Sequence, residues 1–178
     1  MISWIASTIF GVHYPLRNIR ICQTVLRRRL RSFTRPKLSR KVEDYQGGGM
    51  LGAVGVDLGL EAGALDSTIV FGGVIKALFL EYGAEIDGTR LRFAGEYFTD
   101  GESQLVEVEL RGRFTELDGG DSKQGEDTEE SYTFKSTYYK FSIDDQPIIE
   151  IDLLNFIYKK NGQNMFPDRI TSALGMGN

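Results

Sequence analysis

A chain of 178 residues, 41% apolar and 26% charged, has ordinary globular composition and length for one domain with its own core, with or without an arm. A single cysteine, Cys22, and a single histidine, His13, exclude an internal disulfide framework, a multi-cysteine zinc site and the two-histidine metal motifs. The formal net charge of −4 hides a division: residues 1–42 hold ten basic residues and no acid, while the other 11 share residues 43–178 with all 25 acids, +10 against −14.

The first sixteen residues are uncharged and begin MISWIASTIFGV. Pro15 and Arg17 cut this run short of the roughly 20 apolar residues a spanning helix needs. No basic stretch precedes it, as one would in a secretory signal. The expectation is a soluble intracellular chain without membrane insertion. The arm that follows interleaves arginines with Ile19, Ile21, Val25, Leu26 and Leu30. It reads either as a solvated leader or as a phosphate-binding arm.

The body reads as β-rich. Val54, Val56, Leu58 and Leu60 alternate with Gly55, Asp57 and Gly59, the pattern of a strand with one apolar face. Residues 67–71 form a short β-branched run. The period then changes over residues 74–82, where Ile75, Leu78, Phe79 and Tyr82 make one helical stripe and Gly83 is placed to end it. Leu91, Phe93 and Tyr97 alternate in the next strand, and Val106, Val108 and Leu110 alternate with Glu107, Glu109 and Arg111. Residues 118–130 are a polar loop. A long strand is predicted over 132–143, a turn over 144–147, and a second long strand over 148–160 that Asn161-Gly162 turns. Residues 170–174 suggest a final helical turn closed by Gly175. The fold class predicted is α+β, mainly β: an antiparallel sandwich or barrel with one flanking helix.

Three motifs invite chemical readings. Residues 47–52 (GGGMLG) match G-x-G-x-x-G, but a polar KVEDYQ precedes them and a strand follows, the wrong context for a dinucleotide site; they read as a tightly turned loop. The acidic loop with Asp118, Asp121, Glu126, Asp127, Glu129 and Glu130 lacks EF-hand spacing and reads as a solvated hairpin loop, with a weak divalent site as the alternative. Glu150 and Asp152 share a strand face and could be an acid–base pair; a polar surface or an interface explains them as well. No catalytic constellation, cofactor, metal or small-molecule ligand is expected.

Several stretches are jointly distinctive: PKLSRKVEDYQGGGM (residues 36–50), VDLGLEAGAL (56–65), GTRLRFAGEY (88–97), RGRFTELDGGDSKQGEDTE (111–129), TYYKFSIDDQPIIEIDLLN (137–155) and the NG…DR…ALG tail (161–175). From Ser32 onward the chain resembles the major tail tube proteins of contractile-tailed bacteriophages and the tubes of phage-derived bacteriocins. Residues 1–31 depart from that pattern, as a frameshift or an altered start would produce, so the expected organisation is a basic atypical segment, 1–31, and a tube domain, 32–178. The DDQ at residues 144–146 stands where Asp-Gly is more usual.

The resemblance implies a structural virion protein assembled in the bacterial host cytoplasm. Six subunits make a ring, rings stack into a hollow tube, and joined sheets line the bore through which DNA is ejected. A sheath surrounds the tube, with tape-measure and baseplate proteins as further partners. The loops carrying Tyr45, Gly47, Gly48, Gly49 and Met50, and Asp118, Asp121, Lys123, Glu126 and Asp127, are candidate inter-subunit contacts. Glu107, Glu109, Glu150 and Asp152 are candidate bore-lining acids that would keep phosphate from sticking. The alternatives are the ring protein of a type VI secretion-like machine and a nucleic-acid-binding module using the basic arm.

Overall fold

The structure, a computed structural model, describes residues 28–99, 102–121, 123–125 and 127–166, and the backbone of residues 2–5. His13, Cys22, Glu126 and the helical turn expected at 170–174 lie outside the described residues. In chain order the elements are β1 (Ile2–Ile5), β2 (Leu30–Thr34), β3 (Arg40–Tyr45), β4 (Val54–Leu60), β5 (Asp66–Gly72), α1 (Lys76–Leu80), β6 (Thr89–Thr99), β7 (Glu102–Asp118), β8 (Glu129–Ile143), β9 (Gln146–Asp152), β10 (Ile157–Lys160) and β11 (Gln163–Asn164). Among the described residues the fold is mainly β, with antiparallel pairing throughout its ladders and α1 as a short helix.

The long hairpin of β7 and β8 organises the body. The order β1-β6-β7-β8-β9-β10-β11 runs through it, and β5 joins the N-terminal half of β8 and carries β2. The β7–β8 register shifts between Arg111 and Gly112 and again between Phe114 and Glu116. Such shifts bend and twist a ribbon, and here they let one continuous sheet fold over its own core. Strand β2 then meets β6 across the interior, where Phe33 and Phe93 stack with centroids 3.8 Å apart. Between the layers lie Ile69, Phe71, Leu91, Phe93, Val108, Leu110, Phe114, Tyr132, Phe134, Tyr139 and Ile151. Tyr132 takes edge contacts from Phe71 and Phe114, with centroids 5.6 and 6.0 Å away.

Four expectations shift in physically readable ways. Helix α1 has five residues, and of its apolar stripe Ile75 and Leu78 are buried while Phe79 and Tyr82 are exposed. The helix ends at Leu80 with Glu81 as its C-cap, and the chain turns away at Gly83, which has φ +71 and donates its N–H to the Phe114 carbonyl at 3.3 Å. The run 148–160 is two strands, because Asp152 accepts hydrogen bonds from the N–H groups of Leu154 and Asn155 and folds a turn there. The hairpin turn is Asp144-Asp145, both at positive φ as a two-residue type I′ loop demands; Gln146 and Pro147 already belong to β9. Finally, β2 starts at Leu30 and β1 pairs with residues Ala94 to Tyr97 of β6, so strand structure crosses the boundary expected at residue 32.

Candidate assembly surfaces

Among the described residues strands β3 and β4 pair only with each other, as a separate two-stranded sheet. Register sets Tyr45 opposite Val54 and Glu43 opposite Val56. Alternation then puts the apolar Tyr45, Val54, Val56 and Leu58 on the same face as Glu43. All four are exposed, Val54 and Leu58 both at 53%. The expected apolar face of this strand therefore exists, but none of the described residues covers it beyond its base, where Leu60 packs against the core. The ribbon is anchored at its base. Arg40 pairs with Asp57 and lies 5.7 Å over the Tyr158 ring, and Glu61 donates its N–H to the Ser39 carbonyl at 3.1 Å. The Arg40 guanidinium and the Gly59 N–H hold the Asp57 carboxyl below its ordinary pKa.

The ribbon tip carries the glycine loop. Met50 donates its N–H to the Gly47 carbonyl at 3.2 Å, closing a turn with Gly49 at φ +88. A Cβ on Gly47 would sit 3.2 Å from the Tyr45 hydroxyl, whereas one on Gly48 would meet nothing within 4 Å. Leu51 is fully exposed. The loop thus holds a tight turn that presents Met50 and Leu51 outward, with no phosphate-cradling helix behind it.

The acidic loop between β7 and β8 is bound to the body at several points. Asp118 accepts the Gly120 N–H at 3.0 Å, Gly73 donates to the Thr128 carbonyl at 2.9 Å, and Asp127 pairs with Arg31 of β2. Asp121 and Lys123 are exposed. Glu130 is buried and receives the Tyr132 hydroxyl. Burial first, and Glu130 second, push the Tyr132 phenol well above its ordinary range. Among the described residues no group of three or more His, Cys, Asp or Glu side chains is placed to hold a metal ion.

On the sheet face turned from the core, β6 to β10 carry a row of alternating charge. Register aligns Arg92, Glu109, Lys140, Glu150 and Lys159 across successive strands. Lys140 lies 3.8 Å from Glu109, Lys159 lies 3.4 Å from Glu150, and Arg92 pairs with Glu107. The expected acids Glu107, Glu109 and Glu150 do share this outer face, each beside a base of its own chain. Asp152 does not belong with them. It is 4% exposed and commits its carboxylate to the turn after β9 and to Arg111 at 3.2 Å. Arg111 also reaches Asp87 at 3.5 Å and lies 4.0 Å over the Tyr138 ring. Burial, then the charge of Glu150, raise the Tyr138 phenol well above its usual value.

A second apolar surface surrounds α1, where Val74, Phe79, Leu80, Tyr82 and Ile86 are all exposed. Sheet edges are also open. Among the described residues β2 pairs only with β5 and β11 only with β10. Unsupported ribbons, bare edges and two apolar surfaces are features of a protein built to meet other proteins.

Comparison with known proteins settles the family. The profile of Phage tail tube protein FII matches residues 21–175. The chain belongs to that family. It is 60% identical over 146 residues to the major tail tube protein of Serratia phage KSP20, covering 82% of this chain and 85% of the relative. It is 45% identical over 136 residues to the tail tube protein of Escherichia phage P2, covering 74% and 79%. This phage tail tube protein is a structural component of the virion. The match begins at residue 21, ahead of β2, so the similarity takes in part of the arm that reads as atypical. The sequence reading singled out the tail tube protein's glycine loop and three outer-face acids. It did not find their cross-strand bases Arg92, Lys140 and Lys159, which strand alignment alone reveals, nor the apolar surface at Leu80 and Ile86.

Proposed function

We propose that this tail tube protein forms six-membered rings that stack into the inner tube of a contractile tail, and that the tube conducts DNA during ejection. The observation that carries this reading is the β3–β4 ribbon. An isolated two-stranded hairpin is marginal in water, and one with an exposed apolar face needs a partner. Relatives named as tail tube proteins make further copies of the same chain the natural partner. The role is structural, with no small-molecule ligand and no catalytic step. The tube domain takes in residues ahead of β2 as well, since the family match begins at residue 21 and β1 pairs with β6. The loops at Tyr45 to Met50 and Asp118 to Asp127 meet neighbouring subunits. Sheath, tape-measure and baseplate proteins complete the set of partners.

On this reading the outer face of β6–β10 looks into the bore. Glu107, Glu109 and Glu150 line it beside Arg92, Lys140 and Lys159. Cations already paired with carboxylates offer phosphate little counterion release, so DNA slides past a charge-balanced wall. Negative-stain imaging of the purified protein tests the assembly: rings of six or hollow tubes are expected, and a stable monomer at high concentration would overturn it. Binding of DNA to the tubes at physiological salt tests the wall, and tight retention would refute it.

A further inference from the structure

The tail tube protein carries two apolar surfaces that share no residue. One is the ribbon face of Tyr45, Val54, Val56 and Leu58; the other is the helical corner of Phe79, Leu80, Tyr82 and Ile86, all exposed. A seven-residue strand such as β4 spans about 23 Å. Away from its base, where Leu60 packs on the core and Arg40 lies over the Tyr158 ring, the described residues leave both faces of the ribbon exposed. Its tip, residues 46–53, contains no charged residue, and Glu43, which shares the face opposite Val56, is already paired with Lys41, so covering the face strands no lone charge.

We infer that the ribbon of one copy docks its apolar face on the helical corner of the next, as a head-to-tail contact between unlike surfaces. This inference rests on the tube reading above and specifies which surfaces meet. A self-complementary ribbon-to-ribbon contact would close after two copies and leave every helical corner bare. A contact between unlike surfaces repeats without limit or closes a ring, as a tube requires. Its area agrees with that role. One face of a two-stranded ribbon about 23 Å long and about 10 Å wide offers on the order of 230 Å², well under the roughly 800 Å² per partner of a stable complex. The contact does not hold two copies together by itself. It works where other contacts already hold the copies side by side and its effective concentration is high.

The test uses the full chain with Cys22→Ser, so that introduced cysteines are the only thiols. Assembled particles carrying both Val56→Cys and Leu80→Cys are treated with a short bis-maleimide and analysed on a denaturing gel. The expected result is a ladder of covalent dimers, trimers and higher species, with monomer only from either single-cysteine chain. Dimers from Val56→Cys alone would show ribbon against ribbon and overturn the inference. So would tubes that form normally yet give no ladder with this pair or with Val54→Cys and Ile86→Cys. The second pair also covers a failure of the first to assemble. If the unsubstituted protein forms neither rings nor tubes, the tube reading itself falls, an outcome visible before any crosslinker is added.

Discussion

Gly112 sits where β7 and β8 change register and the sheet turns over its core. An ideal Cβ at this position would lie 2.0 Å from the Lys135 carbonyl oxygen and 2.8 Å from the Ser136 Cα. Ordinary contact begins near 3.4 Å, so Gly112→Ala forces β7 and β8 apart by more than 1 Å against backbone, which cannot rotate away as a side chain would. Overpacking typically costs about 1–3 kcal/mol, and an obstacle of backbone in the central hairpin places this variant at about 3 kcal/mol. For a domain of this size 1 kcal/mol moves the melting temperature by about 2–4 °C, giving a fall of about 6–12 °C. Thermal unfolding followed by circular dichroism on dilute, unassembled protein reads this directly. Gly48→Ala, whose Cβ meets nothing within 4 Å, is the control and should stay within about 1 °C of the parent. A Gly112→Ala protein melting within about 2 °C of the parent would refute the close-approach argument.

Asp152→Ala removes the acceptor of the Leu154 and Asn155 N–H groups and one of the two carboxylates that meet Arg111, which keeps Asp87; leaving buried donors unsatisfied costs about 1–3 kcal/mol, and denaturant unfolding should place Asp152→Asn between it and the parent. Asp57 should titrate below 3.8, its unperturbed value. The stabilisation from its pairing with Arg40 is then present above pH 3.8 and lost as pH falls through the lower folded value; carboxyl chemical shifts in Arg40→Ala should return the midpoint towards 3.8. Gly48→Val adds bulk at the ribbon tip without a clash in the subunit, so particle yield by light scattering should fall while the melting temperature of the subunit stays within about 2 °C.

Periodicity made the strands at Val54–Leu60 and Leu91–Tyr97 legible, because alternation depends only on the neighbours along one chain. It could not show that the described residues leave Val54, Val56 and Leu58 exposed, since burial depends on what a second element brings. The same limit hid the partners of the outer-face acids. Glu109 and Lys140 are 31 residues apart in sequence and become neighbours through the β7–β8 register. The break in residues 148–160 was missed because Asp152 reads as one more polar strand position, whereas three hydrogen bonds from Leu154 and Asn155 make it the start of a turn. Gly112 gave no signal in a sequence with 21 glycines; its significance lies in the carbonyl it faces.

The shape of the ribbon bears on when the tube grows. On the contact inferred above, two free subunits that collide must immobilise an exposed hairpin on one another for an area too small to repay the lost freedom, so encounters between lone subunits are expected to dissolve. A subunit arriving at the end of an existing assembly finds several copies at once, and the same small contacts add up. Growth is therefore expected to show a lag that preformed ends abolish, and the number of tubes to follow the number of starting platforms rather than the amount of subunit. A chain with its adhesive surface on a slender arm can be made in excess and still polymerise in one place.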